Sequence, residues 1–187
     1  MTGELSLRRL AQSDLAALCE VGRETFLDTF ASKNRPGNIL RYVEDAFCEK
    51  QVLSELGDKG SSFYFAEKSD KILGYLKVNY GDAQTEAELA SGLEIERIYV
   101  RRAHQGLGVG KAFMSQAHAM ARSLSLDWLW LGVWEENPKA IQFYKKLGFV
   151  DFGEHEFVLG DERQRDIMMK LSLGPATVSS VAKLSAS

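Results

Sequence analysis

Three glycines at alternate positions, Gly106, Gly108 and Gly110, form a loop between a strand pattern and a helix pattern. The apolar and β-branched run at 93–100 predicts the strand, and apolar residues at steps of three and four over 109–124 predict an amphipathic helix. Glycine lets a backbone approach a ligand closely. The first amides of a helix lack internal partners and lie at the positive end of its dipole. The loop therefore predicts a site for a phosphate or pyrophosphate.

Three nucleotide-binding patterns compete for this loop. A Walker A loop requires glycine at Gln105 and serine or threonine at Ala112, so that interpretation fails. A dinucleotide fingerprint requires two residues between its second and third glycines, but only Val109 separates Gly108 from Gly110. The remaining pattern, Gln/Arg-x-x-Gly-x-Gly/Ala after a strand, is matched. It resembles the pyrophosphate loop of the GCN5-related N-acetyltransferases (GNAT), which holds coenzyme A.

A second segment resembles the closing motif of the same family. It begins at Asn137-Pro138, continues through an alanine to Tyr144, and ends at Gly148-Phe149. The resemblance implies an α/β (α+β) fold: a mixed, twisted sheet of six or seven strands, flanked by helices and splayed between strands 4 and 5. By order, those two strands are 93–100 and 127–133. The resemblance places coenzyme A between them, with acetyl-CoA as co-substrate.

The whole chain fits one domain, because 187 residues can bury a sizeable core. The predicted order is strand, helices, hairpin, strand–loop–helix, strand–helix, hairpin. Pro36-Gly37 predicts a turn, and the polar segment 80–92 predicts an exposed loop. We expect an N-acetyltransferase domain over 1–171 and a small, polar, fraying tail over 172–187.

Charge and composition argue against several other classes. The formal net charge of −3 gives no basic footprint for a nucleic-acid partner. No apolar run approaches the roughly 20 residues that span a bilayer, and the N-terminus lacks the order of a signal peptide. Cys19 and Cys48 lack metal-ligand companions and His104, His118 and His155 are dispersed, so no metal is expected. We therefore predict a cytoplasmic protein that contacts no membrane.

Acetyl transfer to an amine requires a base, because lysine-like amines have a pKa near 10.4 and react when neutral. Glu94 and Glu96 are the candidates, and strand alternation predicts that both face one side. Relatives often place a base at the position of Glu94, which ranks it first. The alternative for either glutamate is an ion pair without a catalytic role. Direct transfer is expected, because no cysteine lies in the motif.

The resemblance implies further roles. Tyr144 matches the family tyrosine that protonates the departing thiolate, although it could equally be a core residue of its helix. Main-chain amides of residues 98–100 would bind the pantetheine arm if a bulge or splay frees them from pairing. Asn137 would bond that arm or simply cap a helix. The full set expected to bind the cofactor is Ile98, Tyr99, Val100, Gln105, Gly106, Leu107, Gly108, Val109, Gly110, Lys111, Asn137 and Tyr144.

A closer likeness concerns the acceptor. The segments that begin at Leu93, Trp130, Glu24 and Gly160 resemble the PaiA-type spermidine/spermine N-acetyltransferases. This likeness implies a primary amine acceptor, such as spermidine or spermine, and a homodimer is possible. The alternatives are a protein, peptide or aminoglycoside N-acetyltransferase, and a coenzyme A-binding regulatory module with weak catalysis. Four acidic residues are candidates for holding a polycation: Asp28, Asp82, Glu86 and Glu88.

Overall fold

The computed structural model describes residues 3–86 and 89–174. The strands are β1 (Ser6–Arg9), β2 (Ser61–Lys68), β3 (Lys71–Tyr80), β4 (Gly92–Val100), β5 (Trp128–Trp134), β6 (Val150–Leu159) and β7 (Glu162–Ser172). The α-helices are α1 (Leu15–Phe30), α2 (Pro36–Ala46), α3 (Glu49–Gly57), α4 (Val109–Ser123) and α5 (Pro138–Lys146). Candidate Glu88 and residues 175–187 of the predicted tail lie outside the described residues.

Seven strands form one mixed sheet in the order β1-β2-β3-β4-β5-β7-β6. The strands β4 and β5 are parallel, and every other neighbouring pair is antiparallel. The parallel pairing covers only Gly92–Glu94 against Trp128–Trp130, after which the two strands diverge. The predicted sheet with a splay between strands 4 and 5 is therefore confirmed.

The sheet is covered on both faces. Leu93 and Ile95 of β4 lie in a buried cluster with Val109, Phe113 and Ala117 of α4. On the opposite face α1 packs against α2, α3 and β3. Two smaller buried clusters on that side include Val21 and Phe26 of α1. The cleft between β4 and β5 therefore opens between two helical layers.

A β-bulge interrupts β4 at Glu96. Opposite it, Lys77 pairs with Arg97 while Val78 pairs with Ile95, which leaves Glu96 without a partner in the β3–β4 register. The bulge reverses the alternation of side chains, so Ile95 and Ile98 both pack in the cluster under α4. Glu94 and Glu96 still lie on one side of β4, as predicted, since Asn79 Nδ2 donates to both, and the alternation breaks only after Glu96.

The turn predicted at Pro36-Gly37 is also wrong. Pro36 is the first residue of α2, and Arg35 before it is extended at the helix N-cap. Proline fits there because its missing N–H has no partner in the first turn of a helix. The segment around Asn34 thus joins two helices with a short connection. Among the described residues, no helix is long and apolar enough to cross a membrane.

Candidate active site

The splay between β4 and β5 opens into a cavity of about 1070 Å³. Its walls come from α1, α2, β4, the glycine loop, β5, α5, β6 and β7. All but one of the residues predicted for the site line it: Glu94, Glu96, Ile98, Tyr99, Val100, Gln105, Gly106, Gly108, Val109, Gly110, Lys111, Asn137 and Tyr144. The exception is Leu107, which does not line the cavity and is 62% exposed.

Each of the three glycines of the loop is needed for its own structural reason. Gly106 has φ +82° and Gly108, the N-cap of α4, has φ +84°. A Cβ at either residue would meet no atom within 4 Å, so space beside the backbone is open. Gly110 lacks a positive φ, and its Cβ would lie 3.3 Å from the ring of Phe143 in α5. The first two leave room for a ligand, whereas the third allows α4 to pack closely against α5.

Side chains brace this loop and make its end of the cavity cationic. Gln105 accepts a hydrogen bond from Lys139 Nζ at 2.9 Å and donates one to the Val100 carbonyl at 3.3 Å. Arg102 and Lys111 line the same end. With the α4 amides, these cations make the end favourable for an anion.

Arg101, which flanks the loop in sequence, points elsewhere. Its guanidinium pairs with Glu24 of α1 at 2.9 Å and donates to the Ile72 carbonyl at 3.1 Å. It therefore ties the end of β4 to α1 and does not line the cavity.

The divergence of β5 leaves one edge of β4 open. In the described part of the chain, the β4–β5 register ends at Glu94, so residues 98–100 have no partner on that side. All three residues line the cavity. Freedom from sheet pairing is the condition that we expected, from the sequence, for these amides to bind a ligand.

Two residues of the α5 segment lie on the cavity wall. Asn137 caps α5, with its Oδ1 accepting from the Ala140 amide at 3.2 Å. Tyr144 is buried, and its ring lies 5.4 Å from that of Phe143 and 5.8 Å from that of Phe149. Burial raises the pKa of the Tyr144 hydroxyl, which keeps its proton at neutral pH.

Uncharged donors hold the carboxylate of Glu94. It accepts hydrogen bonds from the Thr85 amide at 2.9 Å, from the Thr85 hydroxyl, and from Asn79 Nδ2 at 3.0 Å. Burial raises the pKa of Glu94, and these hydrogen bonds oppose part of the rise. A buried carboxylate with a raised pKa and no cation beside it is suited to accepting a proton.

Glu96 has different surroundings, because two cations hold its carboxylate. Lys77 Nζ lies 2.6 Å from one oxygen, and an Arg97 nitrogen lies 3.1 Å from the other. The same two cations pair with Glu55 of α3, at 3.1 and 2.9 Å. Asn79 Nδ2 also donates to Glu96 at 2.6 Å and so connects this ion network to Glu94. The network fixes the bulge and neutralises Glu96.

The segment predicted to be an exposed loop is exposed at Gly81, Asp82 and Thr85, and it also closes part of the cavity. Thr85 binds Glu94, and Gln84 accepts a hydrogen bond from the indole of Trp130 at 2.6 Å. Of the acidic candidates, Glu86 lines the cavity beside exposed Asp28, but Asp82 does not. The polar composition of the segment did not indicate these contacts, because they form only when β4 and β5 pack beside it.

The last hairpin supplies site residues that sequence reasoning missed. His155 of β6 and Asp166 of β7 are paired in register, and both line the cavity. His155 Nδ1 lies 2.8 Å from a carboxylate oxygen of Glu86. Burial raises the pKa of Asp166. No motif marked them, because their position depends on β7 pairing with β5, which brings the hairpin to the cleft.

Comparisons with known proteins agree with this architecture. A sequence model of the acetyltransferase (GNAT) family matches residues 20–149. The uncharacterised N-acetyltransferase of the pepI 3′ region of Lactobacillus delbrueckii subsp. lactis is 41% identical over 173 residues, which cover 92% of this chain and 99% of that protein. A spermidine N(1)-acetyltransferase of Thermoplasma acidophilum is 22% identical over 78% of this chain and 88% of its own.

A solved structure shows the same fold. The PaiA N-acetyltransferase of Thermoplasma acidophilum, crystallised in complex with coenzyme A, superposes with a TM-score of 0.74. It is 20% identical, and the match covers 90% of this chain and 99% of that one. Together with the family match and the 41% identical relative, the fold leads to one assignment. This protein belongs to the acetyltransferase (GNAT) family.

Proposed function

We propose that the protein transfers the acetyl group of acetyl-CoA directly to a primary amine, with a polyamine as the acceptor. The observation that carries the proposal is the polarity of the cavity. Its glycine-loop end is lined by Arg102, Lys111 and Lys139, while Glu94 and Asp166 lie among the carboxylates that line it elsewhere. An anionic donor and a cationic acceptor would thus be drawn to different parts of one cleft.

The loop end fits the phosphates of coenzyme A. Gly106 and Gly108 leave open space beside the amides that begin α4, as a pyrophosphate requires. The open edge of β4 at 98–100 suits the amide groups of the pantetheine arm, and Asn137 lies across the cleft. The proposed cofactor set is the one predicted from sequence, with Leu107 contributing through its main chain alone.

Glu94 is the proposed base. Its Oε2 already accepts two hydrogen bonds, but from the described residues Oε1 accepts only that of the Thr85 hydroxyl. A lone pair of Oε1 remains for the amine proton, taken directly or through a water. Glu96, neutralised by Lys77 and Arg97, would hold the bulge and orient Asn79 rather than accept the proton.

Tyr144 is the proposed acid. As the amine nitrogen forms its bond to the acetyl carbon, the carbon–sulfur bond breaks and the sulfur gains the electron pair. A thiol of this kind has a pKa near 8.5, so its thiolate takes a proton readily. The raised pKa of Tyr144 means that its hydroxyl carries that proton before transfer. Acetyl-CoA supplies the activated acyl group, and no acyl-enzyme is required.

A polyamine is favoured by the walls beyond Glu94. Phe30 and Trp134 lie with ring centroids 5.5 Å apart, and Tyr42 and Phe157 likewise at 5.5 Å. Aromatic faces beside carboxylates attract organic cations that have both methylene chains and ammonium groups. The relative that acts on spermidine agrees with this acceptor, although its 22% identity makes that support distant.

Thiol release from acetyl-CoA tests the proposal. The purified protein is assayed with spermidine, spermine, putrescine, a lysine peptide and an aminoglycoside. Release with the polyamines is the expected result, and Tyr144→Phe should lose turnover while retaining affinity for coenzyme A. Release only with the peptide or aminoglycoside would replace the acceptor. Binding of coenzyme A without release would favour a regulatory module.

We also predict that the protein is cytoplasmic and that it forms a homodimer. Sedimentation velocity of the purified chain tests the prediction of a dimer. A single species at the monomer mass would contradict it.

A further inference from the structure

The carboxylate of Asp166 lies in the cavity without a donor of its own. It is half-buried on β7, and its Oδ2 lies 3.4 Å from the place a Cβ would occupy on Gly132. Within residues 3–86 and 89–174, no hydrogen bond or ion pair reaches it. Burial raises its pKa, and the charge of His155 opposes part of that rise.

This lack of partners sets Asp166 apart from other carboxylates of the cavity. Glu94 has three hydrogen bonds, Glu96 has two cations, and Glu86 has His155. Asp28 is exposed and therefore solvated. A half-buried carboxylate that no protein group holds is available to a cationic ligand, because binding the ligand displaces only water from it.

His155 does not fill that role. It faces Asp166 across the β6–β7 pair, but its Nδ1 is engaged by Glu86 at 2.8 Å. The remaining neighbour on β5, Gly132, has no side chain and clears the space above the carboxylate. Trp134, which pairs with Asp166 in register, provides an aromatic wall.

The position of Asp166 relative to Glu94 fits two amines on one chain. Glu94 pairs with Trp130, and Gly132, over which Asp166 lies, is two residues farther along β5. Two residues of a strand span about 6.6 Å and neighbouring strands lie about 4.8 Å apart, so the backbone positions of Glu94 and Gly132 are separated by about 8 Å or more. The side chains of Trp130 and Trp134 share the face on which Gly132 leaves space, because of strand alternation. A short diamine chain can bridge such a span.

We infer that Asp166 binds a second ammonium group of the acceptor and so makes the enzyme prefer a diamine to a monoamine of the same length. This inference rests on the proposed function, in which Glu94 marks the reacting nitrogen. The aromatic wall would contact the methylene chain, while Asp166 supplies the charge that discriminates.

The ratio of kcat/KM for putrescine to that for butylamine tests the inference. The two amines have the same carbon chain and differ by one amino group. Asp166→Asn keeps the shape of the side chain and removes its charge, and we expect it to lower the ratio about tenfold. Asp151→Asn, an exposed aspartate of β6, is the matched control and should leave the ratio unchanged. An unchanged ratio in Asp166→Asn overturns the inference.

Binding separates this inference from the proposed function. Calorimetric titration of putrescine and butylamine into the protein saturated with coenzyme A requires no turnover. If the wild type acetylates no amine, the proposed function fails, and the titration still decides the inference. Tighter binding of putrescine that Asp166→Asn abolishes supports it, and equal binding of both amines by the wild type overturns it. Thermal unfolding of each variant checks that it is folded.

Discussion

Gly108→Ala separates backbone strain from ligand contact in the glycine loop. Gly108 has φ +84° and ψ −1°, a left-handed conformation. An alanine there costs about 1 kcal/mol or somewhat more, because its Cβ crowds its own backbone. No other atom lies within 4 Å of that Cβ, so the protein adds no clash. Gly81 has φ +60° and the same open space, so Gly81→Ala is a control of similar strain outside the loop.

The two variants should lose similar stability and differ in binding. A loss of about 1 kcal/mol lowers Tm by roughly 2–4 °C in a chain of this size. In Gly108→Ala alone, the added methyl enters the space that we propose for a phosphate oxygen. Displacing one charge-assisted hydrogen bond costs about 1.5–3 kcal/mol. The affinity for coenzyme A should therefore fall about tenfold to a hundredfold, with no change in Gly81→Ala.

Isothermal titration with coenzyme A and thermal unfolding of the wild type and both variants provide the measurement. A Gly108→Ala protein that melts lower but binds coenzyme A as Gly81→Ala does would refute the phosphate site while leaving the strain argument intact. Equal melting temperatures for all three proteins would refute the strain argument itself.

Three further predictions concern buried charge. Lys77→Met removes a cation paired with Glu55 and Glu96 and should lower the free energy of unfolding by about 3 kcal/mol. The control Lys145→Met removes a cation from an exposed pair and should lower it by less than about 0.5 kcal/mol. Equal losses of the two variants in denaturant unfolding would contradict this prediction. Asp166→Asn should stabilise the protein by about 1 kcal/mol at pH 7, because burial raises the folded pKa of Asp166 and its ionised form destabilises the fold at higher pH. This gain in unfolding free energy should vanish below the unfolded pKa near 3.9, where the carboxyl group is protonated in both states. The kcat/KM of the wild type should rise with pH through an apparent pKa above about 4.3, the ordinary value of glutamate, because burial raises the pKa of Glu94. If the same rise of kcat/KM with pH persists in Glu94→Gln, Glu94 is not the base.

Local sequence predicted the parts of the site that lie close together along the chain. The strand, the glycine loop and α4 are consecutive, so the spacing of Gly106 and Gly108 was enough to indicate an anion site. The capping motif at Asn137 likewise predicted the start of α5. These features follow from backbone conformation, which nearby residues determine.

The remaining parts of the site depend on the pairing of strands that are separated in the sequence, which the periodicity of the sequence does not predict. The bulge at Glu96 appears only when β3 is set beside β4, and it brings Lys77 to that carboxylate. Thr85 lies in a loop as predicted, but its contact with Glu94 was not predicted, because that contact joins the loop to a strand. Asp166 had no signal at all, since a lone aspartate in an alternating strand is normally exposed. The proline at Pro36 misled because a turn and a first helical turn accept it equally.

The strand order has a consequence for biosynthesis. The strand β7 lies between β5 and β6, so of the strands in the described residues the one made last is interior. Until it emerges from the ribosome, β5 presents the free edge of a nearly continuous apolar run, Trp128–Trp134, which is the kind of edge that pairs with other chains. A nascent chain stopped after residue 160 would carry the whole glycine loop and α5 yet expose that edge. Premature termination should thus yield an aggregating fragment, and the pairing of β7 completes both the sheet and the cavity wall that carries Asp166.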